Sequence, residues 1–291
     1  GADSDERAEA LFREAVNVDR MARATSIDTH GGDIVIAAEG DASIDGTLSA
    51  DGGANQASGG TVVVTAEGTA TIGSDSRIDV SGRARGGDGG TVAIWGTEQA
   101  RTGAGAEVDA DAGRTGDGGL VEVSAEQRVD LGGAHVHARG SGGGARGEFV
   151  VDPAEITIRK GTAGRRDAEG TDLTFEADER ITVESGAVIN TRDTTKDLSD
   201  LDDDELANRD ERGKLESEGA SGDITLKARH VVLEGEGEGE GAKLLTWADK
   251  GHDAGDVTIL GQARQGEITL ADGDVSVEME HGALIDATAA D

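Results

Sequence analysis

Glycine recurs in this chain at an almost constant spacing. The second glycine of a pair stands at Gly32, Gly60, Gly90 and Gly119, and a lone Gly147 continues the series, with steps of 28, 30, 29 and 28 residues. Each is followed by a short run of alternating apolar residues. A period of this length marks a repeat architecture, in which each unit buries its apolar face only against its neighbours.

Inside one period the alternation is two, which is strand-like. The first run reads DIVIAA (33–38), TVVVTA (61–66), TVAIW (91–95), LVEVS (120–124) and EFVV (148–151). A later run reads SRIDVS (76–81), GAEVDA (105–110) and GAHVHA (133–138). Three strands of five or six residues fit one coil of a parallel β-helix. The reading predicts one inward ladder of Ile34, Val62, Val92 and Val121. It predicts another of Val80, Val108 and Val136, which stand 28 residues apart. Gly at the corners is expected to supply the positive φ of tight turns. A β-propeller is the rival, but its blades run to about 40 residues or more, with hairpin turns and aromatic signatures.

The aromatic residues are Phe12, Phe149, Phe175, Trp95 and Trp247, with no Tyr. A globular core of this length normally holds more, whereas stacked Val, Ile, Leu and Ala fill a narrow β-helix. There is no cysteine, which removes disulfides, thiol nucleophiles and thiolate metal sites. No segment reaches the roughly 18 apolar residues of a membrane-spanning helix. With 60 Asp and Glu against 27 Lys and Arg, the net charge is −33. Such a surface repels nucleic acid and anionic lipid, so neither is an expected partner. High acid with few lysines points to a saline habitat, where salt screens the self-repulsion.

Residues 4–23 read as an amphipathic α-helix. Ser4 is a plausible N-cap, and Ala8, Leu11, Phe12, Ala15, Val18 and Ala22 recur at spacings of three and four. The expected organisation is therefore a lead-in at 1–30 that caps the first coil or docks another chain, then a β-helix over 31–291. Charged insertions interrupt it at 160–171 and 192–219, and the only proline, Pro153, ends the strand at Val151.

The motifs GGTVAIW, GDGGLVEVS and FVVDPAEITI, within residues 59–158, resemble the filamentous-haemagglutinin-type exoproteins of two-partner secretion. The runs LTFEADERITVESGAVINT (173–191), GDITLKARHVVLEG (222–235) and GDVTILG (255–261) resemble that family's downstream coils. The resemblance covers most of residues 31–270. It implies a right-handed parallel β-helix, exported through an outer-membrane two-partner transporter to the surface of a Gram-negative-type bacterium. There it acts as an adhesin or fibre. No counterpart of the family's N-terminal secretion domain with its Asn-rich motifs is found, so the chain is expected to be a piece of a longer exoprotein.

Site residues are sparse. His135 and His137 flank the inward Val136, and the 28-residue step puts Glu107 under His135 and Asp109 under His137. Two imidazoles and two carboxylates on one face are a weak candidate for Zn²⁺ or Cu²⁺, against a plain surface ladder of charge pairs. The acidic run Asp200, Asp202, Asp203, Asp204 and Glu205 is a weaker candidate for Ca²⁺, because it lacks the glycine that an EF-hand needs at its sixth position. No cofactor is expected.

Polysaccharide-cleaving β-helix enzymes use paired Asp or Arg/Lys groups, but no basic cluster lines a repeated strand here. No G-x-S-x-G, H-E-x-x-H or phosphate-loop pattern occurs either. The expectation is a non-enzymatic adhesive or fibre-forming protein that assembles head to tail. Leu11, Phe12, Ala15 and Val18 of one copy would meet Met279, Leu284 and Ile285 of the next. The alternatives are a monomeric adhesive rod and, less favoured, an enzyme. The charge yields a direct expectation: the Debye length shrinks from about 30 Å at 0.01 M salt to about 3 Å at 1 M. The melting temperature should therefore rise over that range. A flat profile counts against the saline reading.

Overall fold

The computed structural model describes residues 16–18, 21–30, 32–53, 58–74, 76–83, 85–160, 165–167, 170–192, 219–237, 241–248, 252–262 and 275–287. The protein is all-β, and its strands lie in parallel sheets. Among the described residues no helix is long and apolar enough to cross a membrane.

The first sheet runs in the order β1 (Val16–Val18), β3 (Asp33–Ala38), β5 (Thr61–Ala66), β8 (Thr91–Gly96), β11 (Leu120–Ala125), β14 (Glu148–Val151), β17 (Asp172–Glu176), β20 (Ile224–Ala228), β23 (Val257–Gly261). The second has β4 (Asp41–Asp51), β6 (Thr69–Ile72), β9 (Gln99–Thr102), β12 (Arg128–Leu131), β15 (Glu155–Ile158), β18 (Arg180–Val183), β21 (His230–Leu233) and β24 (Ser276–Met279) in succession. β2 (Met21–His30) pairs with β4. Third strands are β7 (Arg77–Asp79), β10 (Glu107–Asp109) and β13 (His135–His137). Further along the chain they are β16 (Arg165–Asp167), β19 (Val188–Asn190), β22 (Lys243–Leu245) and β25 (Leu284–Asp286). The chain thus visits the three strand positions in rotation, and every strand pairs with its equivalent one repeat away.

The second and third positions are joined at β4. Its first half pairs with β6 through Ala42, Ser43 and Ile44, and its second half with β7 through Thr47, Leu48 and Ser49. The sequence shows why. Only Asp45 and Gly46 separate those halves, whereas four residues stand between β6 and β7 in the next repeat, and there the Ser76 hydroxyl donates to the Ile44 carbonyl.

The core is a set of inward ladders. Ile34, Val62, Val92, Val121, Phe149, Leu173 and Ile224 stand in register, and all are buried. The second predicted ladder is displaced. Val108 pairs with Val136, but on its other side with Ile78 rather than Val80. That repeat is 30 residues long, so a step of 28 falls short by two. Two is the side-chain period of a strand, so Val80 is buried all the same.

Two further expectations are corrected. The helix over residues 4–23 is not seen: Val16–Val18 and Met21–His30 are strands, and residues 4–15 lie outside the described residues. β1 pairs in parallel with β3, and β2 with β4. Hydrogen bonds to a preformed parallel edge outweigh the weak intrinsic preference of an apolar stripe for helix. Likewise the segment 160–171 holds a strand, β16, paired with β19. The insertion lies outside the described residues over 193–218.

The glycines that mark the repeat do not supply positive φ. Other corner glycines take that role, among them Gly53, Gly142 and Gly143, as do Gly105, Gly186 and Gly282 (φ +74°, +73° and +100°), each two residues before a third strand. Gly60, Gly90, Gly119 and Gly147 are needed for closeness. A Cβ on Gly90 would sit 2.1 Å from the Gly60 carbonyl oxygen, and one on Gly119 would sit 2.1 Å from that of Gly90. Gly90→Ala should therefore cost about 1–3 kcal/mol or more, as an overpacked site that only backbone shifts can relieve. Gly86→Asn, at φ +80° with no atom within 4 Å of a Cβ, should cost about 1 kcal/mol. Chemical denaturation of the two variants checks the order, and equal losses would refute the stacking account.

Candidate functional site

The sequence-selected groups meet on the third strand position. An alternating strand with an inward Val136 turns both neighbours outward, and His135 and His137 are each half-buried around it. Glu107 pairs with His135 and Asp109 with His137, as the step of 28 requires. On the other side Glu107 pairs with Arg77 and Asp109 with Asp79.

The groups make a ladder of ion pairs that crosses the repeats. Arg83 joins Asp51, at 2.9 Å, to Asp79. Arg77 joins Asp79, at 3.6 Å, to Glu107 and Asp109. Arg139 then grips Asp111, through Nε at 3.1 Å, Nη2 at 2.8 Å and its backbone N–H at 2.7 Å. Opposite charges directly across a strand pair stabilise it, and like charges would do the reverse.

Burial shapes the titration. The Asp109 carboxyl is pushed above the usual carboxylate range, first by burial, against the pull of His137 and Arg77 and with the help of Asp111 and Asp79. Burial lowers the Arg77 guanidinium, but Asp109, Asp79 and Glu107 outweigh it and hold the group above its ordinary value. Among the described residues, no group of three or more His, Asp or Glu side chains converges as a metal site would need. The His137 Nδ1 is buried with no hydrogen-bond partner. Glu107 and Asp109 are both paired with Arg77, and Asp109 is also drawn by His137. What the arrangement does chemically is hold adjacent repeats together.

The proposed assembly residues divide between the two ends of the sheets. Val18 lies in β1, at one edge of the first sheet. Leu11, Phe12 and Ala15 lie outside the described residues, as does the acidic run 200–205. Met279, Leu284 and Ile285 lie in the last strands of the other two sheets. Met279 and Ile285 are 51% and 37% exposed. Their partners one repeat earlier, Leu233 and Leu244, are fully buried.

Two of the grooves on the described surface bear on function. One runs over the glycine corner past Gly90, Gly119 and Gly147, and its Arg146 is paired with Asp172 at 2.9 Å. The other lies beside the exposed Trp95. The selection above missed Trp95, although the sequence carried a signal for it. In TVAIW, Val92 and Ile94 point inward, so the tryptophan that follows points out. Comparison with protein-family models, curated proteins and solved structures finds no match.

The shift on Asp109 fixes a pH dependence. Its folded-state carboxyl takes up a proton at higher pH than the unfolded one, so this group favours folding as pH drops through its raised value toward the ordinary carboxylate range. Asp109→Asn lacks that gain. Relative to the parent, the variant should therefore be most stable near neutral pH and lose ground as pH falls to the ordinary carboxylate range of about pH 4. Paired thermal melts over that range test it, and a difference independent of pH removes the buried-carboxylate account.

Proposed function

We propose that this chain is a non-enzymatic structural and adhesive protein of a bacterial cell surface, folded as a right-handed parallel β-helix that joins copies head to tail. The resemblance to filamentous-haemagglutinin-type exoproteins supports export through an outer-membrane partner transporter. The absence of cysteine suits a chain threaded through a pore while unfolded.

One observation carries the assembly reading. In the last repeat, Val277 and Met279 are 48% and 51% exposed, whereas Val231 and Leu233, one repeat earlier in register, are fully buried. Among the described residues, the outermost strands β24 and β25 thus present core side chains at a sheet edge. Such an edge templates further pairing. At the other end the partner surface is a strand edge, not a helix: β1 and β2 carry the first and second sheets beyond β3 and β4. An unlike pair of edges makes a heterologous contact that need not close into a ring. Molar salt would relieve repulsion between copies that each carry −33. The competing account is a monomeric rod whose ends meet nothing.

Light scattering separates the two. The intact chain should remain monomeric at low salt and grow in mass at molar salt. The double variant Val277→Asp, Met279→Asp, altered where side chains are half exposed, should melt close to the parent yet stay monomeric. Assembly unaffected by the substitutions, or none by the parent at any salt, removes the head-to-tail reading.

A further inference from the structure

We propose that Trp95 and the trough beside it form a subsite for one pyranose ring of a neutral glycan. The proposal deepens the adhesive part of the reading above and rests on it, but it uses a different surface from the assembly edges.

Trp95 stands in an outward ladder with Ala37 and Thr65, which pair in register across β3, β5 and β8, and on its other side it pairs with the buried Ser124 of β11. It is 37% exposed, while Trp247 is buried, so it is the exposed indole among the described residues. A small methyl and a threonine on the two preceding strands leave a trough of about 270 Å³ beside the ring. Adjacent strands stand about 4.8 Å apart, so the floor is two strand spacings long, the scale of a small ring and not of a protein interface. Its rim carries the exposed carboxylates of Glu39 and Glu67 and the hydroxyls of Thr65 and Thr97.

That combination matches one chemistry. A pyranose has an apolar C–H face, which an indole wall accepts, and a belt of hydroxyls, which carboxylate and threonine oxygens bond. Aromatic rings serve as binding platforms because they offer large rigid area with little entropy to lose. The net charge of −33 and the two rim carboxylates repel uronic, sulfated and phosphorylated sugars. A lysine or arginine side chain is the rival occupant, since indole and carboxylate both attract cations. But Glu39 and Glu67 are exposed, and exposed ion pairs contribute little, least of all in salt. A ring lying flat along the trough uses the indole and the hydroxyl acceptors together.

The test reads Trp95 directly. Neutral oligosaccharides of glucose, galactose, mannose, xylose and N-acetylglucosamine are titrated into the intact chain in molar salt. Protection of tryptophan emission from acrylamide quenching is followed. At least one is expected to protect it saturably, with a dissociation constant on the order of 1 mM for a single subsite. Trp95→Ala should abolish protection, and Thr65→Arg, which fills the trough and leaves the indole in place, should weaken binding about tenfold or more. Both should melt and scatter like the parent, so failure here is distinct from failure of the assembly reading. Glu39→Gln with Glu67→Gln should retain sugar protection, because an amide still accepts hydroxyl bonds. Protection by a lysine peptide and by no sugar overturns the proposal. So does no protection at tens of millimolar sugar, or sugar protection that survives both Trp95→Ala and Thr65→Arg.

Discussion

The closest approach that organises this molecule is glycine on glycine. The N–H of Gly90 donates to the Val80 carbonyl at 2.7 Å, closing its own repeat, and the Gly90 carbonyl accepts from Leu120 N–H at 3.0 Å, holding the next. Gly60, Gly119 and Gly147 donate in the same way, to Ala50, Ala110 and Ala138. In the first sheet β5, β8, β11 and β14 each start just after such a contact, so their register follows the glycine. A Cβ at these positions would overlap backbone, and backbone cannot move aside as a side-chain tip can. From Gly32 to Gly147 the constraint explains why the spacing varies between 28 and 30 residues while glycine itself does not; in the next repeat Thr171 holds the equivalent position. Residues can be added within a corner, but not at the contact.

Once that register is set, alternation does the rest. Inward positions stack Val on Val and Ile on Ile, each of which contributes about 1.5–3 kcal/mol when fully buried. Where the third position passes from β13 to β16, the two are not hydrogen-bonded in one sheet. Phe149 and Phe175 pack edge to face nearby, with centroids 5.4 Å apart. Outward positions stack charge on opposite charge: Arg77 on Glu107, Arg146 against Asp172, Lys227 against Glu176. A surface of net charge −33 therefore places its few cations where they neutralise carboxylates of the adjacent repeat. Such pairs, largely exposed, add little individually, but they remove the repulsion that identical stacked acids would create.

A stack of this kind satisfies its interior and leaves its ends. The same residue class that is wholly covered at Val231 and Leu233 is half exposed at Val277 and Met279, with no change in chemistry. Position in the stack alone makes the difference. This is why the ends, and the outward Trp95, draw the functional argument, while the histidine face reads as part of the scaffold.

The glycine period and the strand alternation by themselves determined the all-β parallel stack, the inward ladder of Ile34, Val62, Val92 and Val121, and the facing of Glu107 to His135 and Asp109 to His137. Both signals are local and repeat, so a wrong step in one unit is bounded by its neighbours. The ladder of Val108 shows the bound: the step was wrong by two residues, and the face was still right. Only the tertiary structure decided the rest. A stripe of Leu11, Phe12, Ala15 and Val18 has helical spacing, yet Val16–Val18 is a strand, because a neighbouring edge supplies hydrogen bonds that no single segment encodes. The carboxylates beside the histidines are also paired with Arg77, a residue some 30 positions away that the step of 28 did not bring in. The trough at Trp95 required knowing that Ala37 and Thr65 lie beside it. A cavity is made of what its neighbours lack, and only their arrangement in space reveals it.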